Sequence, residues 1–507
     1  MHLRHLLLAA ALALPAPLVA QADMADAPMP PAFLRAMEPM VPRETATSNV
    51  KVTKHKARID GREIAYRAIV TELPLPGADG KPAIVAVSYA YVADKSGDPT
   101  KRPVAFIFNG GPGASSSPLH MHAFGPYRIV GGKAAGGDSA RMEQNPHSLL
   151  DVADLVFIDP PGTGASMPVK GADATPFFGV GGDARAVWAM IDGWKQANGR
   201  TGSPTILIGE SYGTARAGAM LAEAMKAKKP LPQAVVLLAP ALGGNDGDIL
   251  EAANKLPTLA AVAWYHNAIP RNGRTVEQLF AEARQFAETD YITALAKGPR
   301  LPAAEKTRIA RRMSELIGLP AEQIEKANLR IDNYPFMLSL LASKGLRTGQ
   351  LDGRATRAIA ESNMRPPFDD PSMTLGADGP AMVERYLSDQ LGYTVPSPYR
   401  SLNLGINFKW NWDKDYGGSY RLMDFGPYIA RALEAQPNMK LFLGGGYYDI
   451  TTPLQGGQFA LEQAQIPPSR VVIKGYPAGH SVFEDEQSLK SLSTDLRTLI
   501  RQVQPAG

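Results

Sequence analysis

Short apolar runs punctuate this chain, and several end directly in clusters of glycine, proline or aspartate. Val104 to Phe108 runs into Asn109-Gly110-Gly111-Pro112-Gly113. Leu155 to Ile158 runs into Asp159-Pro160-Pro161-Gly162-Thr163-Gly164. Thr205 to Ile208 runs into Gly209-Glu210-Ser211-Tyr212-Gly213, and similar runs recur at Ala234 to Leu238, Lys440 to Leu443 and Val471 to Ile473. Such runs read as strands buried on both faces. Ahead of them, Val50 to Val92 reads as β structure: Val50-Lys51-Val52-Thr53 alternates, Asp60-Gly61 joins two arms of a hairpin, and Ile84 to Val92 is a further strand. Helical patterns fill Gly182 to Gln196 and the stretch from Ala215 onward. Strands alternating with helices predict an α/β fold with a mostly parallel, doubly wound central sheet. Ligands on such sheets sit at the carboxyl ends of the strands, where each glycine-rich cluster falls.

The interval between Leu238 and Leu443 is too long for one crossover. It holds helical runs at Val276 to Lys297, Ala303 to Ile317 and Ala321 to Ala342. Residues 246–400 are therefore expected to form a largely helical cap insertion over the site, dividing the core into 48–245 and 401–507. At the N-terminus, Arg4 precedes an apolar run from Leu6 to Ala20, broken by Pro15 and Pro17 and followed by Ala20-Gln21-Ala22. This reads as a signal peptide over 1–22, too short to span a membrane, and predicts a periplasmic or secreted protein. Residues 23–47, rich in Pro, Ala and Met, read as a mobile leader. No later run is long and apolar enough for a membrane span.

Composition narrows the chemistry. There is no cysteine among 507 residues, which excludes disulfides, thiolate metal sites and a cysteine nucleophile. The net charge of +4 is spread along the chain with no basic run, so there is no nucleic-acid footprint. Hydrophobic content of 45% with 20% charged residues is that of a globular protein, not a disordered one.

The candidate nucleophile is Ser211. Strand, Gly-x-Ser-x-Gly and helix is the context of a nucleophile elbow, where a sharp turn lifts a serine hydroxyl above the sheet. A serine needs a general base, and the base needs a carboxylate to hold its tautomer. On this kind of sheet the order is Ser, then acid, then His. Of eight histidines, only His266 and His480 follow Ser211. His266 falls in an expected insertion helix; His480 follows the last strand in a glycine-hinged loop and is favoured. Asp449, after the run that ends at Gly446, is the acid. Backbone N–H groups of Tyr212 and of the Asn109–Gly113 loop, at Gly111, would form the oxyanion hole. His120-x-His122 lacks a third ligand, so no metal or cofactor is expected.

These motifs together resemble the serine carboxypeptidases of the α/β-hydrolase class. Phe108 to Ser116 is similar to that family's Trp-Asn-Gly-Gly-Pro-Gly-Cys-Ser-Ser, and Gly209 to Gly213 to its Gly-Glu-Ser-Tyr-Ala/Gly. Asn145-Pro146-x-Ser148, the stretch from Asp159 to Ser166, Asp449 and Gly479-His480 match as well. The resemblance covers about residues 104–215 and 440–485. It implies an α/β-hydrolase fold and an exopeptidase that removes C-terminal residues from peptide substrates. It also implies that Asn109, Gly110 and Glu210 bind the substrate's terminal carboxylate. A carboxylate recognised by Glu210 requires that Glu210 hold a proton. Three positions depart from the family: Ala114 replaces the motif cysteine, Ser481 the usual Met after the catalytic His, and Ala123 a second Glu that partners the first. A prolyl-type aminopeptidase, an esterase and an acyltransferase share the fold and stay open as alternatives, as does a non-catalytic binding protein on a decayed hydrolase fold.

Overall fold

The computed structural model describes residues 31–94, 97–131, 140–244, 247–361, 370–373, 379–419 and 422–503. The signal peptide read over 1–22 lies outside the described residues. The chain divides into two compact units. The larger comprises 36–246, 376–446 and 452–507; the smaller comprises 1–35, 247–375 and 447–451.

The larger unit is built on one twisted sheet. Strands β1 (Asn49–Ile59), β2 (Arg62–Pro76) and β3 (Pro82–Ala93) form an antiparallel meander. Asp60 (φ +46°) and Gly61 (φ +76°) make the β1–β2 turn, as the Asp-Gly pair predicts. Next come β4 (Val104–Phe108), a small hairpin of β5 (Tyr127–Val130) and β6 (Arg141–Gln144), β7 (Asp154–Asp159), the short β8 (Met167–Pro168), β9 (Thr205–Glu210) and β10 (Ala234–Leu238). The smaller unit holds a second hairpin, β11 (Leu346–Thr348) with β12 (Thr356–Ala358). The larger unit then adds β13 (Lys440–Gly446) and β14 (Val471–Tyr476). Across the main sheet the order is β1-β2-β3-β7-β4-β9-β10-β13-β14, with β8 paired to β3. From β7 to β14 all neighbours run parallel. β4, β7, β9 and β10 are buried along their whole length, which is why they read as unbroken apolar runs.

The helices Val180–Ala197 and Tyr212–Lys226 pack on this sheet, the second starting where β9 stops. Within the stretch read as a mobile leader, residues 31–37 form a helix and Arg43 is fixed. Its guanidinium lies 2.7 Å from Glu72, both side chains being buried, and its backbone bonds to Pro168 and Lys170. Residues 379–400, placed in the insertion by sequence, pack with the sheet instead: Tyr386 bonds Tyr91 at 3.0 Å and Tyr399 bonds Asp159 at 3.0 Å.

The smaller unit is largely helical. Helices Asp248–Tyr265, Val276–Phe286 and Ala303–Ile317 dominate it, the last with the bounds its pattern predicts. The run expected as one helix over Ala321 to Ala342 is two, Ala321–Lys326 and Asn333–Ser339. Asn328 (φ +51°) and Leu329 (φ +65°) take left-handed backbone between them, which no α-helix can contain. Among the described residues no helix is long and apolar enough to cross a membrane.

Candidate active site

Ser211 occupies the turn between β9 and the helix Tyr212–Lys226, with φ +58° and ψ −130°. A non-glycine residue in that region is strained, and strain of this kind persists only where the surroundings enforce it. They do so here. The Ser211 N–H donates to Leu238 O at the end of β10 (2.9 Å), and Ser211 O accepts from the Thr214 N–H and hydroxyl, both at 2.8 Å. Gly209 must lack a side chain because a Cβ would collide with Gly213 O across the turn.

The Asn109–Gly113 loop lies against the same turn. A Cβ on Gly110 would collide with the backbone N of Tyr212 and lie 2.7 Å from that of Gly213. The loop backbone therefore sits directly over the helix N-terminus, where amide N–H groups lack partners within the helix and the dipole favours negative charge. A strap of chain holds the loop from outside: Asn403 N donates to Gly113 O (2.7 Å), Asn407 Nδ2 to Pro112 O (3.1 Å) and Ser115 N to Ser401 O (2.9 Å).

Glu210, the last residue of β9, is buried. Asn109 Oδ1 accepts from Leu119 N (3.1 Å), which turns its amide Nδ2 to donate to Glu210 Oε2. Ser481, the residue after His480, donates its hydroxyl to Glu210 Oε1 at 3.2 Å. Burial pushes the Glu210 carboxyl up to about 7, against the pull of the His480 ring and of the Ser481 and Asn109 bonds; Glu484 adds to the rise. Ser481, a departure from the family motif, thus contacts the acid directly. Ala123, another of the three departures, is buried in the turn Leu119–Phe124 and its carbonyl accepts from Asn145 Nδ2 at 2.7 Å.

His480 sits on the loop after β14. A Cβ on Gly446 would collide with Gly479 O and Ala478 O, so this loop rests on the bare end of β13. The His480 Nδ1 is 3.1 Å from Thr452 Oγ1. Asp449 follows three residues after Gly446; it is fully buried, and its Oδ1 accepts from Thr451 N at 2.8 Å. His266, the other histidine after Ser211, belongs to the smaller unit and bonds Gly353 O at 2.8 Å through Nε2. His120 is buried, stacked on Phe157 with centroids 4.3 Å apart and bonded to Tyr91 OH at 2.6 Å; burial pushes its pKa down to about 3. Among the described residues no group of three or more His, Cys, Asp or Glu is placed to hold a metal ion.

Two buried features escape sequence reading. Asp159 accepts from Ser116 N (2.9 Å), Ser116 Oγ (2.8 Å), Ala165 N (3.1 Å), Tyr89 OH (3.0 Å) and Tyr399 OH (3.0 Å). It ties the loop after β4 to the loop after β7. Arg216, one turn into the elbow helix, bonds Asp183 Oδ2 at 2.6 Å and donates through Nη1 to Asn109 O. Its only sequence trace is a charged residue where the helix face is otherwise small and apolar.

A parallel sheet ending in a strained serine turn, faced by a glycine loop and followed by a late histidine loop, defines an α/β hydrolase. The solved structure of Kex1(delta)p, a prohormone-processing carboxypeptidase from Saccharomyces cerevisiae, shares the fold: TM-score 0.50 and 13% identity over 86% of this chain and 91% of that one. Residues 86–333 match the family model for serine carboxypeptidase. The chain is also 26% identical over 157 residues to serine carboxypeptidase-like 21 of Arabidopsis thaliana, a match covering 31% of each chain. It is 31% identical over 108 residues to serine carboxypeptidase 1 of Hordeum vulgare, covering 18% of this chain and 21% of that protein. The matched stretches thus span less than a third of the curated relatives.

Proposed function

We propose that this protein is an exported serine carboxypeptidase that removes C-terminal residues from peptides. Ser211 Oγ attacks the last peptide carbonyl while His480 takes its proton, held in the right tautomer by Asp449. The N–H groups of Gly111 and Tyr212 receive the negative charge of the tetrahedral intermediate. His480 then protonates the departing amine, and water releases the acyl group from Ser211. The Asn109 side chain, the Gly110 N–H and protonated Glu210 bind the substrate's terminal carboxylate.

The observation that carries this reading is Glu210: a buried acid one residue before the nucleophile, held by Asn109 and Ser481 and carrying a proton up to about pH 7. A neutral carboxyl can donate a hydrogen bond to a carboxylate, which an ionised one cannot. The test compares N-acylated peptides with a free or an amidated C-terminus. We expect cleavage of the free acids with single residues released from the C-terminus, and little cleavage of the amides; equal cleavage of both would shift the assignment to an esterase or aminopeptidase. Ser211→Ala is expected to abolish turnover and reaction with a fluorophosphonate probe. Asp449→Asn should cost on the order of 10⁴ in kcat. Export is supported by the signal-peptide pattern over 1–22, and N-terminal sequencing of the mature protein, expected to begin after Ala22, checks it.

A further inference from the structure

Beneath the Asn109–Gly113 loop lies an ion pair that the chemistry above does not use. Arg216 and Asp183 are both about 1% exposed. Their side chains meet at 2.6 Å through Arg216 Nε. The guanidinium lies 5.5 Å from the Phe108 ring centroid and 5.2 Å from that of Tyr212, so it is wedged between the residue before the loop and the residue after the nucleophile. Its Nη1 donates to the Asn109 carbonyl oxygen. Burying such a pair is costly, and a hydrophobic pair would fill the same space at lower cost. The pair sits at this one point on the loop, and the bond it makes there is to a backbone carbonyl.

We propose that Arg216, braced by Asp183, is a positioning residue that aims the Gly110 N–H at the substrate's terminal carboxylate. In a trans peptide the carbonyl and the next N–H point to opposite sides of the chain. The Asn109–Gly110 bond is trans; the cis bond of this loop is Gly111–Pro112. Arg216 draws the Asn109 carbonyl down toward the helix, and the Gly110 N–H is thereby turned the other way, out of the loop's inner face. The same grip fixes the Asn109 backbone from which the side chain reaches Glu210. The strap described above holds the far side of the loop, at Pro112, Gly113 and Ser115, whereas Arg216 grips its first carbonyl, the one joined to the Gly110 N–H. Gly110 in particular cannot acquire a side chain to stiffen it, because a Cβ would collide with Tyr212 N. Asp183 keeps the guanidinium in the one orientation in which Nε meets a carboxylate and Nη1 meets the loop.

This inference rests on the carboxypeptidase reading, and the experiment separates the two. Arg216→Lys keeps a cation beside Asp183 but has no second nitrogen in a fixed fork to hold Asn109 O. A double variant, Arg216→Gln with Asp183→Asn, removes both charges together and leaves no unpaired ion in the core. Each is measured in two ways. The first is kcat/KM for an N-acylated dipeptide and its C-terminal amide. The second is Kd by calorimetry for an N-acylated amino acid and its amide, in the Ser211→Ala background. Circular dichroism checks folding.

In the parent, preference for the free acid over the amide tests the functional reading itself. Given that preference, we expect the free-acid to amide ratio to fall roughly tenfold to a hundredfold in both variants, the loss lying in KM and Kd more than in kcat. A folded variant that loses activity equally on acid and amide, or keeps the parent's ratio, overturns the positioning role. If the lysine variant fails to fold, the double variant decides by the same ratio. If neither folds, the pair is structural and the proposal falls.

Discussion

On either side of β4 a strand ends in a buried acid. Asp159 closes β7 and Glu210 closes β9, and burial pushes both carboxyls above their usual range. Their surroundings differ in one respect. Asp159 receives five donors, from Ser116, Ala165, Tyr89 and Tyr399, which saturate the acceptor sites of an ionised carboxylate. Glu210 receives two side-chain donors, Asn109 and Ser481. The first acid is a knot joining loops; the second has capacity left for a visitor. Burial and a raised pKa therefore do not by themselves mark the functional acid. On the proposed mechanism, unused hydrogen-bonding capacity beside Ser211 does.

The largest effect that could break this comparison is on stability. Asp159→Ala strands five donors, and each buried group left without a partner costs about 1–3 kcal/mol. We expect a loss of more than about 5 kcal/mol, or no folded protein at all, in urea unfolding. Glu210→Ala strands two donors and should cost no more than about half as much; equal losses at the two sites would end the distinction.

A second measurement uses pH. Glu210 has a folded pKa of about 7, above the ordinary 4.5, so its contribution to stability is complete below about 4.5 and is lost as pH rises through 7. The shift corresponds to about 3 kcal/mol, which Glu210→Gln removes. Above pH 8 the glutamine variant should therefore melt higher than the parent, the gap closing toward pH 4.5. In catalysis, kcat/KM of the parent on free-acid peptides should fall about tenfold per unit above pH 7, on the proposed mechanism, while that of Glu210→Gln stays level. A parent profile flat to pH 9 would mean that the proton on Glu210 does not read the substrate.

The smallest effect concerns Ser481. Its hydroxyl bond favours the charged form of Glu210, so Ser481→Ala should raise the carboxyl further and move the basic limb to higher pH by less than about one unit. A shift toward lower pH would show that Ser481 stabilises the neutral acid instead.

The sequence reading reaches furthest where local pattern fixes local structure. Thr205 to Gly213 is apolar strand, glycine-flanked turn and helix start, and it folds as such with Ser211 at a positive φ. The central sheet was legible for the same reason, since four of its strands are buried along their length and read as unbroken apolar runs. What was not legible depends on partners far away in the chain. Asp159 collects Tyr89 and Tyr399 from 70 residues before and 240 residues after it. Arg216 reaches a carbonyl 107 residues upstream. No periodicity encodes such pairings. The break at Asn328 and Leu329 is invisible because an apolar helical rhythm continues across it, and the interval between Leu238 and Leu443 carries no mark of where, near residue 379, the chain returns to the sheet.

Arg43 sets a limit on maturation. It is buried against Glu72, which also receives the Tyr393 hydroxyl at 2.7 Å. Proteases that trim the chain's beginning up to Val41 would remove the helix over 31–37 and the bond from Arg400 to Pro39 O, but leave this buried pair intact. Removal of two residues more would leave Glu72 a buried anion without its cation, a defect of about 3–5 kcal/mol. Ragged N-terminal ends left by proteolysis should accordingly stop short of this arginine, which serves as a built-in doorstop for N-terminal erosion.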